Sequence, residues 1–273
     1  MRFLSLLLAV VFFVTPGVAE TQLPIFDAHL HYSRSAWDVF PPDAVIAKLK
    51  AAGVSGALAS SSPDEGTQKL LRAAPKVIVG GYRPYKVSAD IGFWYKKQKL
   101  IPAAEKILAQ GRHRVFGEVH INTPESLDDP GMVRYIRLAR DKGLYLHVHS
   151  QADVVDGLYQ RWPDLKVLWA HAGFSEPPAV VDRLLGLHKT LWTEVSYRAA
   201  QIMPGDVVDA NWRKVFIAHP DRFLIGSDTW TVERLEEYTG LIGQHRAWLM
   251  ELPKGVREKI AHQNARRLFG LVR

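Results

Sequence analysis

Six residues of the types that hold divalent cations stand at or near the ends of successive apolar runs: His29, His31, Glu118, His149, His171 and Asp228. Side chains two apart on a β-strand point the same way, so His29 and His31 of Asp27-Ala-His29-Leu-His31 can grip one ion from a first strand. Each later run adds one ligand. A lone His-x-His is more often an accident of a core or a surface, and it is the further ligands at three other run ends that point to a metal. His147 and His149 face the same way; the strand end beside Ser150 selects His149, and His147 is expected deeper as a hydrogen-bonded barrel residue. Glu118 inside an apolar run must be paired or bound, either as a ligand or in a salt bridge with Arg83. Asp27 reads as a partner that orients a ligand histidine. His113, His120, His188, His219, His245 and His262 lack a supporting pattern and read as structural.

The elements that must position these groups are eight β-rich runs: Ile25 to Leu30, Ser55 to Ala59, Lys76 to Tyr82, Arg114 to Ile121, Leu144 to Val148, Leu165 to Ala170, Thr190 to Val195 and Arg222 to Gly226. Most are continuously apolar, as expected for parallel strands covered on both faces. Helical patterns alternate with them: Asp43 to Ala52, Glu65 to Ala73, Ala103 to Gln110, Met132 to Lys142, Ala152 to Arg161, Pro178 to Leu187, Val207 to Ala218 and Val232 to Leu249. Gly53, Gly111 and Gly143 fall where C-terminal caps belong, and Pro63 and Pro177 near helix starts. This alternation predicts an α/β fold, a (β/α)8 TIM barrel. A doubly wound open sheet would carry a Gly-rich phosphate turn after its first strand, where this chain has His31-Tyr-Ser-Arg34. The long segment Pro84 to Lys99 reads as a lid, and a last helix, Gly255 to Leu268, is expected to close the barrel against the first one.

The N-terminus reads Met-Arg, an apolar stretch from Phe3 to Val14 and a small-x-small ending at Ala19, the pattern of a secretory signal peptide over residues 1–19. The run is short for a membrane span, which needs about 20 apolar residues, and Pro16 and Gly17 argue against an uncleaved anchor. Residues 20–273 are then a single catalytic domain, periplasmic or secreted, with no stable membrane insertion after cleavage. The chain has no cysteine, so disulfides and thiolate ligands are excluded. Its formal charge of +7 falls by one with Arg2 and is spread along the chain rather than gathered in a tail. No nucleic-acid partner is expected; a small anionic substrate or an anionic envelope surface fits the charge.

At this point the chain resembles the amidohydrolase superfamily of metal-dependent hydrolases, most closely its amidohydrolase-related branch. The matching stretches are Ile25-Phe-Asp-Ala-His-Leu-His31, Leu146-His-Val-His-Ser150, Val167-Leu-Trp-Ala-His-Ala-Gly173, Phe223-Leu-Ile-Gly-Ser-Asp228 and Asn264-Ala-Arg-Arg-Leu-Phe-Gly270. The resemblance implies that His29 and His31 bind the more buried metal position, and that His149 and His171 bind a second ion or position substrate and water. It implies that Asp228 ligates metal and accepts the proton of the attacking water, with His171 beside it in catalysis. Many relatives carry a carboxylated lysine on the fourth strand. Phe116-Gly-Glu-Val119 offers Glu118 there, as in TatD-like and some phosphotriesterase-like branches, so a bridging Glu118 means two metals and a supporting Glu118 means one.

A bound divalent ion lowers the pKa of its water from near 16 to about 7, and zinc suits mixed His and carboxylate ligands with open positions. The expected function is therefore hydrolysis of an ester, lactone, amide or phosphoester of a small substrate by metal-activated water, with Asp228 as general base. Arg83 could clamp a substrate carboxylate or phosphate, while Tyr197, Arg198 and Trp230 lie on loops that should rim the pocket. The alternatives are a metal-dependent decarboxylase of a small carboxylic acid, a TatD-like nuclease and a non-catalytic envelope binding protein.

Overall fold

The computed structural model describes residues 22–271, so the expected signal peptide lies outside the described residues. Eight strands follow one another around a ring: β1 (Ile25–Leu30), β2 (Val54–Ser60), β3 (Ile78–Tyr82), β4 (His113–His120), β5 (Tyr145–His149), β6 (Val167–Trp169), β7 (Leu191–Glu194) and β8 (Phe223–Leu224). Neighbouring strands pair in parallel from β1 to β8. The ring closes through a bridge between Asp27 and Ile225, with Ala28 N donating to Ile225 O at 2.7 Å and Asp228 N to His29 O at 2.6 Å. The fold is a (β/α)8 barrel, as the alternation of runs indicates.

The outer ring contains α1 (Pro42–Ala51), α2 (Glu65–Ala73), α3 (Ile101–Leu108), α4 (Pro130–Asp141), α5 (Ala152–Arg161) and α6 (Pro178–Leu187). The helix expected over Val207 to Ala218 starts three residues later, as α8 (Ala210–Ala218), and is preceded by a short α7 (Ala199–Ile202). Asp209 sets the start of α8, because its carboxylate accepts from Asn211 N and Trp212 N. The expected helix Val232 to Leu249 is divided at Glu237 into α9 (Val232–Glu236) and α10 (Tyr238–Met250). The last segment runs through α11 (Lys254–Glu258), one π-helical turn (Lys259–Gln263) and α12 (Asn264–Leu268). It packs chiefly under β1 and β8, while α10 is the element that lies on α1.

The physical reason for that placement is an apolar plug. Phe26, Leu58, Val79, Val115, Leu168 and Leu224, from six different strands, pack with Ala265 and Phe269 of the last segment, the Phe26 and Phe269 rings 5.6 Å apart. Each of these strands turns polar further on, so the barrel is apolar at its N-terminal end and carries its ionisable groups at the other. No helix among the described residues is long and apolar enough to cross a membrane.

Candidate metal centre

β1 delivers His29 and, just past its end, His31, both 1 % exposed. Their Nε2 atoms lie 3.0 Å apart. Glu118 Oε2 is 3.4 Å from His29 Nε2 and 3.3 Å from His31 Nε2, and Asp228 Oδ1 is 3.5 and 3.2 Å from the same atoms. Ligands about 2.1 Å from a tetrahedral ion stand about 3.4 Å from one another, which is the spacing of this set. Asp228 Oδ1 is also buried without a hydrogen-bond partner, a costly state for a carboxylate oxygen unless a cation meets it.

A second set adjoins the first. Glu118 Oε1 lies 3.0 Å from His149 Nδ1 and 3.3 Å from His171 Nε2, and these two nitrogens are 3.1 Å apart. The two oxygens of Glu118 thus face different groups of ligands. Gly117 makes this placement possible, since it has φ +126° and a Cβ there would lie 2.1 Å from His147 O.

The ring nitrogens turned away from the centre are held. His29 Nδ1 meets Glu194 Oε1 at 2.9 Å, His31 Nδ1 meets Ser60 O at 2.5 Å and His171 Nδ1 meets Ser196 Oγ at 2.7 Å. Protons on these three Nδ1 atoms leave the Nε2 lone pairs for an ion. Glu194 is the residue that sequence reasoning misses. It also accepts from His171 N at 2.7 Å and Ser196 N at 2.6 Å. By distance alone His29, His171 and Glu194 could surround an ion too, but the oxygens of Glu194 are already engaged by these donors, so it serves as the positioning carboxylate. Gly226 leaves room for it, because a Cβ there would lie 2.2 Å from Glu194 Oε2.

Asp27, which shares a strand face with His29, does not orient a ligand imidazole, contrary to expectation. Its carboxylate accepts from His29 N, Ser227 N, Ser227 Oγ and Tyr238 Oη, and so fixes the backbone of β1 against the Asp228 loop. His147 lies deeper, as expected, yet neither of its ring nitrogens has a hydrogen-bond partner among the described residues.

Electrostatics agree with the geometry. Burial opposes charge on His29, but Asp228, Glu118 and Glu194 outweigh it and hold its pKa well above the ordinary value. Burial also opposes charge on Glu118 and Asp228, and their histidine neighbours overcome it, leaving both below the carboxylate range. Three ionised carboxylates then share one buried region with the guanidinium of Arg83, whose Nη2 is 3.2 Å from Glu118 Oε2 and whose Nε donates to Glu118 O at 2.9 Å, while Arg234 donates to the backbone oxygens of Asp228 and Ser227. The two readings of Glu118 are therefore compatible: it pairs with Arg83 and stands among the histidines. A field that raises the proton affinity of His29 also favours a divalent cation.

Above the cluster opens a cavity of about 430 Å³ lined by Arg83, Tyr85, Ile91, Glu118, His149 and Asp228, among others. A larger groove of about 800 Å³ lies beside it and shares Arg83 and Tyr85, but it holds none of the clustered ligands. A family model described as amidohydrolase matches residues 91–271. The chain belongs to the amidohydrolase family.

This amidohydrolase is an enzyme whose fold recurs in solved structures of low identity. A Pseudomonas putida protein designated a 2-pyrone-4,6-dicarboxylic acid hydrolase is 19% identical with a TM-score of 0.63, over 91% of this chain and 98% of that one. An amidohydrolase of Burkholderia multivorans with bound zinc is 15% identical with a TM-score of 0.57, over 90% and 99%. A 5-carboxyvanillate decarboxylase of Novosphingobium aromaticivorans with bound manganese is 13% identical with a TM-score of 0.57, over 90% and 97%. No curated protein matches the chain.

Of the expected rim residues, Tyr197 and Trp230 line the cavity, and Trp230 Nε1 donates to Tyr197 Oη at 2.6 Å. Arg198 does not. It is buried beside Trp212 and donates to the backbone oxygens of Phe174 and Glu176, so it fastens the β6 loop. His120, read from sequence as structural, lines the cavity with its ring 4.3 Å from that of His149. Its backbone N donates to Tyr85 Oη, whose hydroxyl lies 3.3 Å from His120 Nδ1. Burial pushes its pKa down to about 3, so it is neutral at ordinary pH. The signal in sequence was its spacing of two from Glu118.

Proposed function

We propose that the protein is a metal-dependent hydrolase that cleaves an ester, lactone, amide or phosphoester of a small substrate, in which the two ligand sets that share Glu118 would each hold a divalent ion. The observation that carries this reading is the Glu118 carboxylate, each oxygen of which faces its own set of ligands. His29, His31 and Asp228 would complete one set, and His149 and His171 the other. Zinc is the metal of choice for these donors. Bound there, it supplies Lewis acidity and a water of lowered pKa.

The remaining work falls to side chains of the chain itself. Asp228, with Oδ2 3.8 Å from His171 Nε2, would take the proton of the attacking water and return it to the leaving group. His171 steadies that carboxylate from the second set. Glu194 keeps His29 and His171 in register, and Arg83 offsets the charge of Glu118. Tyr197 and Trp230 form the far wall of the cavity. A TatD-like nuclease has less support, since Arg83 is the cation among the residues lining a cavity of about 430 Å³. Residues 1–19 would send the enzyme to the periplasm or outside the cell, and sequencing the mature N-terminus tests that part.

Elemental analysis of purified protein tests the centre. The expected result is two equivalents of transition metal in the wild type, a loss of at least one in Glu118→Ala, and at most one in the His29→Ala, His31→Ala double variant. Wild-type protein that stays metal-free after incubation with zinc or manganese would refute the proposal.

A further inference from the structure

The cavity is divided by chemistry along the order of the strands. Ser33, Ser62 and Arg83 follow β1, β2 and β3, whereas Phe174, Tyr197 and Trp230 follow β6, β7 and β8, and all six line the same space. The polar anchors therefore come from the β1 to β3 side of the metal cluster, where Tyr85 and Ile91 also line the cavity, and three exposed or half-buried aromatic surfaces from the other side. The polar side is built rather than incidental. Ser62 is 7 % exposed, and its Oγ is buried without a hydrogen-bond partner. Ser33 Oγ accepts from Ser62 N at 3.3 Å, which leaves its hydroxyl proton to be given elsewhere. Arg83 is 6 % exposed; it spends Nε and Nη2 on Glu118, and Nη1 makes no hydrogen bond among the described residues. A buried hydroxyl without a partner is costly unless a ligand completes it, and a guanidinium with a free edge is suited to an anion.

On the aromatic side, Phe174 and Trp230 are 45 % and 57 % exposed. Tyr197 is fixed between them, 5.7 Å from the Phe174 ring and bonded through its hydroxyl to Trp230. Exposed aromatic faces around a buried polar floor are suited to a flat or apolar group.

We infer that the substrate is an amphipathic monocarboxylate, its carboxylate held by Ser62, Ser33 and Arg83, its apolar ring or chain against Phe174, Tyr197 and Trp230, and its scissile bond between them. The inference rests on the hydrolase reading above, which names the cluster between the two sides as the reacting centre. A single negative charge is favoured over a phosphate dianion, because Arg83 already neutralises part of Glu118 and further carboxylates lie close by.

The test is calorimetric titration of zinc-loaded enzyme with 4-phenylbutyrate and with its neutral amide, in wild type, Ser62→Ala and Trp230→Ala. The acid is expected to bind at least tenfold tighter than the amide. Ser62→Ala should remove most of that preference with an unchanged thermal midpoint, while Trp230→Ala should weaken both ligands alike. Equal binding of acid and amide, or a preference that survives in Ser62→Ala, would overturn the inference. Repeating the titration after chelation separates the two proposals. A preference lost with the metal but insensitive to Ser62→Ala places the carboxylate on the ion, which overturns the subsite and leaves the hydrolase standing. A Ser62-dependent preference in protein that never takes up metal would sustain the subsite and remove the hydrolase.

Discussion

Glu194 sets the direction in which two imidazoles point. It is fully buried and engaged by His29, the backbone of His171 and the backbone of Ser196, so its contribution is orientation and charge rather than a bond to an ion. Removing such a partner weakens metal binding by about 10- to 100-fold. Glu194→Gln should show that loss in competition with a chromophoric chelator, with its circular dichroism unchanged; undiminished affinity would mean that Glu194 is merely a core residue. A second residue, His245, makes a prediction about pH. Trp248 Nε1 donates to its Nδ1 at 3.1 Å and its Nε2 meets Gly226 O at 3.0 Å, which fixes the neutral ring, and burial lowers its pKa from 6.5 to about 4. Because the unfolded chain binds the proton more readily, this stabilisation is complete above the unfolded pKa and is lost as pH falls towards the folded one. The loss between pH 7 and pH 5 is about 2 kcal/mol, and urea denaturation should find a smaller drop over that range in His245→Gln than in the wild type.

At the scale of elements, the segment after β3 behaves otherwise than its length suggests. A lid must move, but here Tyr85 and Trp94 are buried, Trp94 Nε1 donates to His120 O at 2.8 Å, and Tyr135 Oη donates to Lys97 O at 3.1 Å. These contacts anchor the segment at Tyr85 and at Trp94 to Lys97, and Tyr85 and Ile91 form a wall of the cavity. Trp94→Ala should destabilise the fold by about 3 to 5 kcal/mol in chemical denaturation, and the amides of Trp94 to Lys97 should exchange slowly; fast exchange would restore the lid. The same comparison shows what can be read in advance. The eight runs were legible because parallel strands covered on both faces must be apolar throughout, and His29, His31, His149, His171 and Asp228 stood out because they interrupt or end such runs. Glu194 was hidden by the same rule: it falls inside the run Thr190 to Val195, where nothing marks one polar residue as reaching across the barrel to β1. Asp27 was misassigned because parity tells which face a side chain takes, not which donor it meets. Helix boundaries near residues 200–210 and 237 depended on a local cap and on packing that periodicity does not record.

At the scale of the molecule, the barrel has its fewest strand-to-strand backbone pairings where it closes. β8 has two residues, and its backbone link to β1 is the bridge from Asp27 to Ile225 with two short hydrogen bonds, which the side chains of Asp27, Ser227 and Thr229 supplement. His29 and His31 stand on one side of that seam and Asp228 on the other. An ion held by all three would fasten the first strand to the last, in a chain without a single cysteine. Ligand binding of this kind adds about 4 kcal/mol when free metal exceeds its Kd a thousandfold, which for a chain of this size corresponds to roughly 10 °C in Tm. Chelation should lower Tm by that order and quicken amide exchange first in β1 and around Ile225, whereas uniform quickening would show that the ion stabilises only its own pocket. The catalytic centre would then be the clasp of the ring, and scarcity of metal would be felt as a shortened lifetime of the protein as well as a lost activity.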